Sequence, residues 1–354
     1  MGETPAGAPH LLEVTDLDVK FFTRRGVAHA VRGVSFHVDR GETLGLVGES
    51  GSGKSVTTQA VMGLTELPGK VTGGDVKWKG ESLLHGGRHD KDAAQRLRDI
   101  RGKELALVFQ DPMTSLNPLF TVGTQLGEVL RRHMGMTKKQ AAERSVELLD
   151  LVGISFPRQR VKQYPHEFSG GMRQRVMIAM ALACEPELLI ADEPTTALDV
   201  TIQAQILELV ADLRDRLGLA VLLITHDLGV VAGLCDRVAV MYGGKLVENA
   251  PADELFASPA HPYARGLLNS TPRLDVVLPR LVAIDGAPPD LLHPPSGCPF
   301  APRCPIALER CSKEMPPMLD HGERRRVACW QAFDGATSEP PAAEPAPVPA
   351  GSPA

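Results

Sequence analysis

Short apolar runs recur along this chain and predict β-strands. Five lie in the first third of the sequence, at Leu12–Val19, Gly33–Val38, Thr43–Val47, Gly74–Trp78 and Glu104–Phe109. Two more stand downstream, at Leu188–Ala191 and Ala220–Thr225. Uninterrupted apolar runs of this length are typical of strands that are buried in a sheet.

Helical spacing takes over in the middle of the chain, where residues 112–165 predict a helical insert. Within Lys138–Val152 the residues expected to form one apolar helix face are Ala142, Val146, Leu149 and Val152. The polar segment Gly86–Gly102 predicts a loop and an exposed helix. From Gly170 to about Gly244 helix and strand patterns alternate, which favours an α/β fold with a parallel sheet.

A glycine-rich segment joins the predicted strand Thr43–Val47 to a predicted helix at Val56–Leu64. Its residues are Gly48, Glu49, Ser50, Gly51, Ser52, Gly53, Lys54 and Ser55. A phosphate-binding loop requires this strand–loop–helix setting, because glycines let backbone N–H groups turn toward phosphates at a helix N-terminus. Lys54 is then expected to reach the β- and γ-phosphates, and Ser55 to ligate Mg²⁺.

Two acids, Asp192 and Glu193, follow the apolar run that begins at Leu188. A buried parallel strand presents such residues at its carboxyl end, where α/β sheets hold their ligands. Asp192 is expected to hold Mg²⁺, and Glu193 to orient or deprotonate an attacking water. Without the glycine-rich loop, solvated acids at a strand end would be the simpler interpretation.

A second helix start lies between these elements, where Ser169, Gly170 and Gly171 precede the helical run Val176–Cys184. A serine cap with two glycines at a helix N-terminus predicts a second anion site. Two phosphate-binding loops more than a hundred residues apart suggest a dimer in which each nucleotide lies between the two subunits.

Bulk composition narrows the class of protein. The 354 residues carry a formal net charge of −5, which does not favour broad binding to nucleic acid. The longest apolar run is Leu219–Ile224, so we expect no membrane-spanning helix. The leader Met1–His10 lacks a secretory pattern, and both this leader and the tail Gly335–Ala354 are expected to be disordered.

Six motifs in order identify the resemblance of residues 11–250 to the nucleotide-binding subunits of ABC transporters. They are Gly48–Ser55, Gln110, Phe168–Met172, Asp192–Glu193, Thr196–Asp199 and Ile224–Asp227. The stretches Tyr164–Arg175 and Ala191–Val200, and His261-Pro262-Tyr263 before a cysteine-rich end, most resemble the ATPases of oligopeptide and dipeptide importers.

The resemblance implies roles for individual residues. Gln110 would sense Mg²⁺ and the attacking water, and His226 would contact the γ-phosphate. Ser169, Gly170 and Gly171 would bind the γ-phosphate held by the opposite subunit, and Asp199 would cross the dimer interface. Phe21, or Phe22 beside it, would stack on adenine; a half-buried strand aromatic is the alternative.

The resemblance also implies a fold and its division. The fold expected is a P-loop ABC ATPase with a RecA-like core, an antiparallel β subdomain and a helical subdomain at about 112–170, all within residues 11–250. A small cysteine-rich appendix would occupy residues 251–334.

Four of the six cysteines stand in that appendix. They are Cys298, Cys304, Cys311 and Cys329; Cys184 and Cys235 lie in apolar helical runs and are expected to be buried. Intervening stretches of five, six and seventeen residues fit structural zinc poorly. The resemblance favours a [4Fe–4S] cluster, with zinc, unliganded thiols or a disulfide as alternatives.

The function implied is ATP hydrolysis, with ATP and Mg²⁺, that powers peptide import at the cytoplasmic face of the membrane. The implied partners are two permease subunits, a second ATPase subunit that is either a copy or a related chain, and, indirectly, an extracytoplasmic peptide-binding protein. A soluble ABC ATPase acting on nucleic acid and an importer ATPase for nickel or another small solute are the alternatives.

Overall fold

The computed structural model describes residues 10–88, 90–111, 115–196, 198–270, 284–322 and 324–332. The tail predicted to be disordered lies outside these residues, as does the leader except for His10, whose ring stacks on His37.

An antiparallel sheet of four strands covers one side of the molecule. In spatial order its strands are β2 (Gly26–Val38), β1 (Leu12–Thr23), β4 (Gly69–Trp78) and β5 (Glu81–Leu84). Three of these strands contain the predicted runs, but each extends beyond its run. β5 was not predicted, because its four residues carry too short a pattern.

The main sheet has eight strands and is mixed. From one edge they are β11 (Leu319–Asp320), β12 (Arg326–Val327), β10 (Lys245–Pro251), β9 (Arg237–Tyr242), β3 (Thr43–Val47), β8 (Ala220–Thr225), β7 (Leu188–Asp192) and β6 (Leu105–Val108). The strands from β9 to β6 are parallel, as predicted, whereas β10, β12 and β11 pair antiparallel.

The helices pack around these sheets. They are α1 (Lys54–Val61), α2 (Lys91–Ile100), α3 (Val122–Met134), α4 (Lys138–Leu151), α5 (Pro157–Arg160), α6 (Gly170–Ala181), α7 (Val200–Leu217), α8 (Leu228–Ala232), α9 (Ala252–Ala257), α10 (Pro262–Ser270) and α11 (Glu309–Lys313). Among the described residues, no helix combines the length and the apolar character needed to cross a bilayer.

Two hydrophobic cores lie on opposite faces of the main sheet. Along β7, Leu189 and Ala191 point into the core shared with the helices, while Leu188 and Ile190 point into the core shared with the antiparallel sheet. Because both faces are covered, the central strands are apolar throughout, which explains why they were predictable.

The predicted apolar face of α4 is right at Leu149 and Val152, which are buried, and wrong at its other two positions. Ala142 is exposed and Val146 is only half-buried, whereas Ala141, Ser145 and Leu148 are buried. The hydroxyl of Ser145 donates to the carbonyl of Ala141 at 2.6 Å, so its burial leaves no unpaired hydrogen-bonding group.

Candidate functional site

The glycine-rich loop connects β3 to α1 at the carboxyl edge of the main sheet. Gly48 has φ +154°, and a Cβ there would lie 2.1 Å from the carbonyl oxygen of Met241. Gly53 has φ +105°, and a Cβ there would lie 2.5 Å from the carbonyl oxygen of Ala30. Neighbouring backbone approaches both positions too closely for any residue but glycine.

Lys54 begins α1 and is 4% exposed. Its Nζ donates to the carbonyl oxygens of Gly48 and Glu49, at 2.7 and 2.9 Å. Burial lowers the pKa of Lys54, and the nearby carboxylates of Glu193 and Asp192 oppose that shift. Because these carbonyls hold the ammonium group against the loop, it can bind an anion such as a phosphate there without a large movement of the side chain.

Ser55 and Asp192 bring two oxygen ligands together at the base of the loop. The hydroxyl of Ser55 donates to Oδ1 of Asp192 at 2.9 Å. Burial raises the pKa of Asp192, the Ser55 hydrogen bond lowers it, and the charge of Glu193 raises it. Hard oxygen donors beside a phosphate site fit Mg²⁺, which neutralises the carboxylate charge that burial disfavours.

Glu193 stands next to this pair and is held by three polar side chains. Gln110 and Thr196 donate to its Oε2 at 2.8 and 2.9 Å, and Nδ1 of His226 lies 3.4 Å from its Oε1. Its backbone has φ +45°, a left-handed conformation that is uncommon for a residue with a side chain. Strain of this kind is typical of functional positions, where the surrounding contacts impose it.

These side chains converge on one cavity of about 580 Å³. Its lining residues are Glu49, Ser50, Gly51, Gly53, Lys54, Ser55, Val56, Gln110, Glu193, His226 and Leu267. The loop, the strand-end acid and the histidine, predicted from three distant motifs, therefore meet at one site. Leu267, which lies on α10, was not predicted.

Five of the predicted site residues lie outside this cavity: Ser169, Gly170, Gly171, Asp199 and Phe21. Gly171 is buried in the first turn of α6. Ser169 caps α6, accepting from the N–H of Met172, and both Ser169 and Gly170 are exposed. Asp199 caps α7, accepting from the N–H of Ile202, and is exposed too. Phe21 packs beside Gly69 against the core under the antiparallel sheet.

Three further contacts of the loop and its acids were missed by sequence reasoning. Thr196 binds Glu193, Tyr263 accepts from the N–H of Glu49, and Arg303 binds the carboxylate of Glu49. Thr196 and Tyr263 stood in motifs that the sequence analysis quoted, but Arg303 carries no motif that could have marked it.

The four C-terminal cysteines correct the iron–sulfur prediction. Cys298, Cys304, Cys311 and Cys329 line one small cavity as free thiols. Burial raises the pKa of Cys298 and of Cys304 to about 11, which favours the neutral thiol over the thiolate at both positions. Among the described residues, the group whose possible ligand atoms all lie within 4.8 Å of one another is His10, His37 and Asp39. The four cysteines do not form such a group.

That histidine–aspartate group has its own protein partner. Nη1 of Arg237 lies 2.9 Å from Nε2 of His37. Burial and the charges of Arg237 and His10 lower the pKa of His37 to about 4. A guanidinium hydrogen bond at the imidazole nitrogen competes directly with metal ligation there.

Comparison with known proteins identifies two family regions. Residues 31–196 match the ABC transporter family, and residues 247–311 match the oligopeptide/dipeptide transporter C-terminal region. Among solved structures, the dimeric bacterial ABC transporter cassette MJ0796 is similar, with a TM-score of 0.59 and 27% identity over 68% of this chain and 98% of that one. These similarities confirm the predicted P-loop ABC ATPase fold.

Curated relatives match over nearly the whole chain. The dipeptide transport ATP-binding protein DppD of Bacillus subtilis is 54% identical, covering 90% of this chain and 94% of its own. The oligopeptide transport ATP-binding protein OppD of Salmonella typhimurium is 51% identical, covering 94% and 98%. Neither name refers to an iron–sulfur cluster. The chain belongs to the ATP-binding proteins of ABC transporters, in the group named for oligopeptide and dipeptide transport.

Proposed function

We propose that this chain is the ATP-hydrolysing subunit that powers oligopeptide or dipeptide import through an ABC transporter. The observation that carries the proposal is one cavity in which residues of the phosphate loop, among them Lys54 and Ser55, face Gln110, Glu193 and His226. The identity of more than 50% to peptide-transport ATP-binding proteins supports the class of cargo.

Nucleotide binding follows from the geometry of the loop. Backbone N–H groups from Ser50 to Ser55 and the Nζ of Lys54 would hold the phosphates of ATP. Ser55, Asp192 and Gln110 would hold Mg²⁺, which would neutralise negative charge on the phosphates. Phe21, which stands on β1 in the antiparallel sheet, would stack on adenine as in the family.

Hydrolysis is the attack of water on the γ-phosphorus, with cleavage of the bond to the β–γ bridging oxygen. Glu193 would orient the water and accept its proton, and His226 would donate a hydrogen bond to the γ-phosphate. Gln110 and Thr196 hold the Glu193 carboxylate in place. Products are ADP and inorganic phosphate.

Two subunits would complete each site. Ser169, Gly170 and Gly171 would bind the γ-phosphate of the opposite subunit, and Asp199 would cross the interface. Their position outside the cavity of their own chain supports this arrangement, as does the dimeric form of the similar cassette. The partner is a second copy or a related chain.

The membrane location, the permease partners and the domain division of this chain are proposed from its family membership. The chain would lie peripherally at the cytoplasmic face of the membrane and dock on two permease subunits, with an extracytoplasmic peptide-binding protein acting indirectly. Residues 11–250 would form the nucleotide-binding domain, with its helical subdomain at about 112–170. Residues 251–334 would form the peptide-importer C-terminal domain.

The two alternatives are not favoured. A net charge of −5 gives no support to a nucleic-acid clamp, and the relatives named here are peptide-transport proteins rather than nickel-transport proteins.

Growth of a strain that lacks this chain tests the proposal. An amino-acid auxotroph supplied only with peptides should grow when the wild-type chain is restored and should not grow with Glu193→Gln. Unimpaired growth on peptides without the chain, together with loss of nickel uptake, would contradict peptide import.

A further inference from the structure

The phosphate loop is held from outside by the segment that follows β10. The N–H of Glu49 donates to the hydroxyl of Tyr263 on α10 at 2.8 Å. The carboxylate of Glu49 accepts from both terminal nitrogens of Arg303, at 2.7 and 3.1 Å. Arg303 stands 254 residues away in sequence and ends a short 3-10 helix, Ala301–Arg303.

Every donor of Arg303 has a partner. Besides Glu49, the guanidinium donates to the hydroxyl of Tyr242 and to the carbonyl oxygens of Ile284 and Asp285, at 2.9 to 3.1 Å. Five N–H groups thus meet five acceptors, and the side chain is only 6% exposed. A side chain fixed in this way can hold a carboxylate at one place with little freedom of its own.

An aromatic cluster fixes the position of Arg303 relative to the main sheet. The ring centroids of Tyr242 and Tyr263 are 4.4 Å apart, and that of Phe300 lies 5.3 Å from each. The turn after β9 fits against the same segment, since a Cβ on Gly243 would lie 2.9 Å from Pro289 and Pro299. The next residue, Gly244, donates its N–H to the carbonyl oxygen of Ser52 in the loop.

Glu49 connects this support to the nucleotide cation. Lys54 donates to the carbonyl oxygen of Glu49, so the residue that Arg303 holds also positions the ammonium group. We propose that Arg303 is a positioning residue for the phosphate loop, through which residues 284–303 set the affinity for nucleotide. The inference rests on the proposed ATP site and adds a long-range determinant to it.

Nucleotide affinity of full-length variants tests the inference. Arg303→Met should raise the Kd of a fluorescent ATP analogue about tenfold, since a bidentate charge-assisted contact is lost. In the assembled transporter the KM for ATP should rise in parallel while kcat stays within about threefold, because Glu193, Gln110 and His226 are untouched. Arg303→Lys should restore part of the affinity.

Two further variants sharpen the result. Glu49→Gln keeps the shape of the side chain and should raise the Kd at least threefold, and it carries the test should Arg303→Met fail to fold. The double variant Arg303→Met with Glu49→Gln should bind the analogue no more weakly than Arg303→Met alone, because both changes disrupt the same contact between Arg303 and Glu49. Arg310→Met, which removes an exposed guanidinium on α11, just beyond residues 284–303, should leave the Kd unchanged.

An unchanged Kd in Arg303→Met and Glu49→Gln would overturn the inference, even if both melted at lower temperature. Fully additive losses in the double variant would overturn it as well. If the wild-type chain itself failed to bind the analogue, the proposed ATP site would fail together with the inference.

Discussion

Lys54 and Glu193 line the same cavity but have different proposed roles, Lys54 in binding ATP and Glu193 in its hydrolysis. Lys54→Ala removes the ammonium group held against the loop, so the Kd for ATP should rise by about ten- to a hundredfold. The fold should persist, since the remaining α1 contacts are unchanged. Calorimetric titration with ATP measures the effect; undiminished affinity together with retained activity would rule out the phosphate-loop assignment.

Glu193→Gln should act on turnover instead. The amide keeps the hydrogen-bonding shape beside Gln110 and Thr196 but loses the proton acceptor, so kcat should fall by about 10²–10⁴-fold while ATP still binds. Phosphate release by the assembled transporter is the measurement. Turnover near that of the wild type would exclude Glu193 as the water-activating group.

The sequence predicted the residues that line this site better than the distant residues that hold them in position. Gly48–Ser55, Asp192 and Glu193 stand at the ends of apolar strands, so local pattern was sufficient to find them, whereas the role of His226 came from the family resemblance. Arg303 could not be found, because its contact with Glu49 depends on how a distant loop packs.

Helix α6 carries the segment proposed to act across the subunit interface. Ser169→Arg places a long cation at its exposed cap, so ATP-driven dimer closure should be blocked while each chain still binds ATP. Analytical ultracentrifugation with ATP, in a Glu193→Gln background that retains nucleotide, measures closure. A chain that lost its own nucleotide binding yet still dimerised would refute the geometry.

The connection between β10 and α10 contains a buried histidine whose protonation opposes folding. Burial lowers the pKa of His261 to about 3, against about 6.5 in the unfolded chain. Its stabilisation is complete above pH 6.5 and is lost as pH falls from 6.5 toward 3, by up to about 1.4 kcal/mol per pH unit. His37, with a pKa of about 4, acts in the same direction.

Denaturant unfolding of the wild-type chain and of His261→Gln across this pH range isolates the contribution of His261. The glutamine offers an oxygen acceptor in place of Nδ1, which accepts the N–H of Tyr263. The variant should lose less stability on acidification than the wild type. Equal losses would mean that His261 is not a buried neutral imidazole.

One helix face and two short strands show what the local sequence pattern missed. Two of the four positions predicted for the apolar face of α4 were wrong, because the polar residue Ser145 is buried there with its hydroxyl donating to the carbonyl of Ala141. The antiparallel edge β10–β12–β11 was missed because two of its strands have only two residues each. Their pairing depends on tertiary packing rather than on sequence period.

At the scale of the whole molecule, sequence pattern and resemblance gave the family, the central parallel strands and the nucleotide motifs. They did not give the mixed sheet, and the iron–sulfur prediction for the four cysteines is corrected. Cys298, Cys311 and Cys329 are buried, Cys304 is half-buried, and none of them forms a disulfide. The C-terminal segment joins the main sheet through β11 and β12 and shares its core through Tyr263 and Phe300. Its contacts reach the phosphate loop at Glu49.

Peptide uptake into proteoliposomes that contain the assembled transporter, with ATP hydrolysis counted in the same sample, tests the central claim most directly. ATP and Mg²⁺ should drive accumulation of a labelled peptide, and Glu193→Gln should abolish uptake and hydrolysis together. Peptide accumulation that continued at the wild-type rate with Glu193→Gln, or hydrolysis that never moved peptide, would contradict the account.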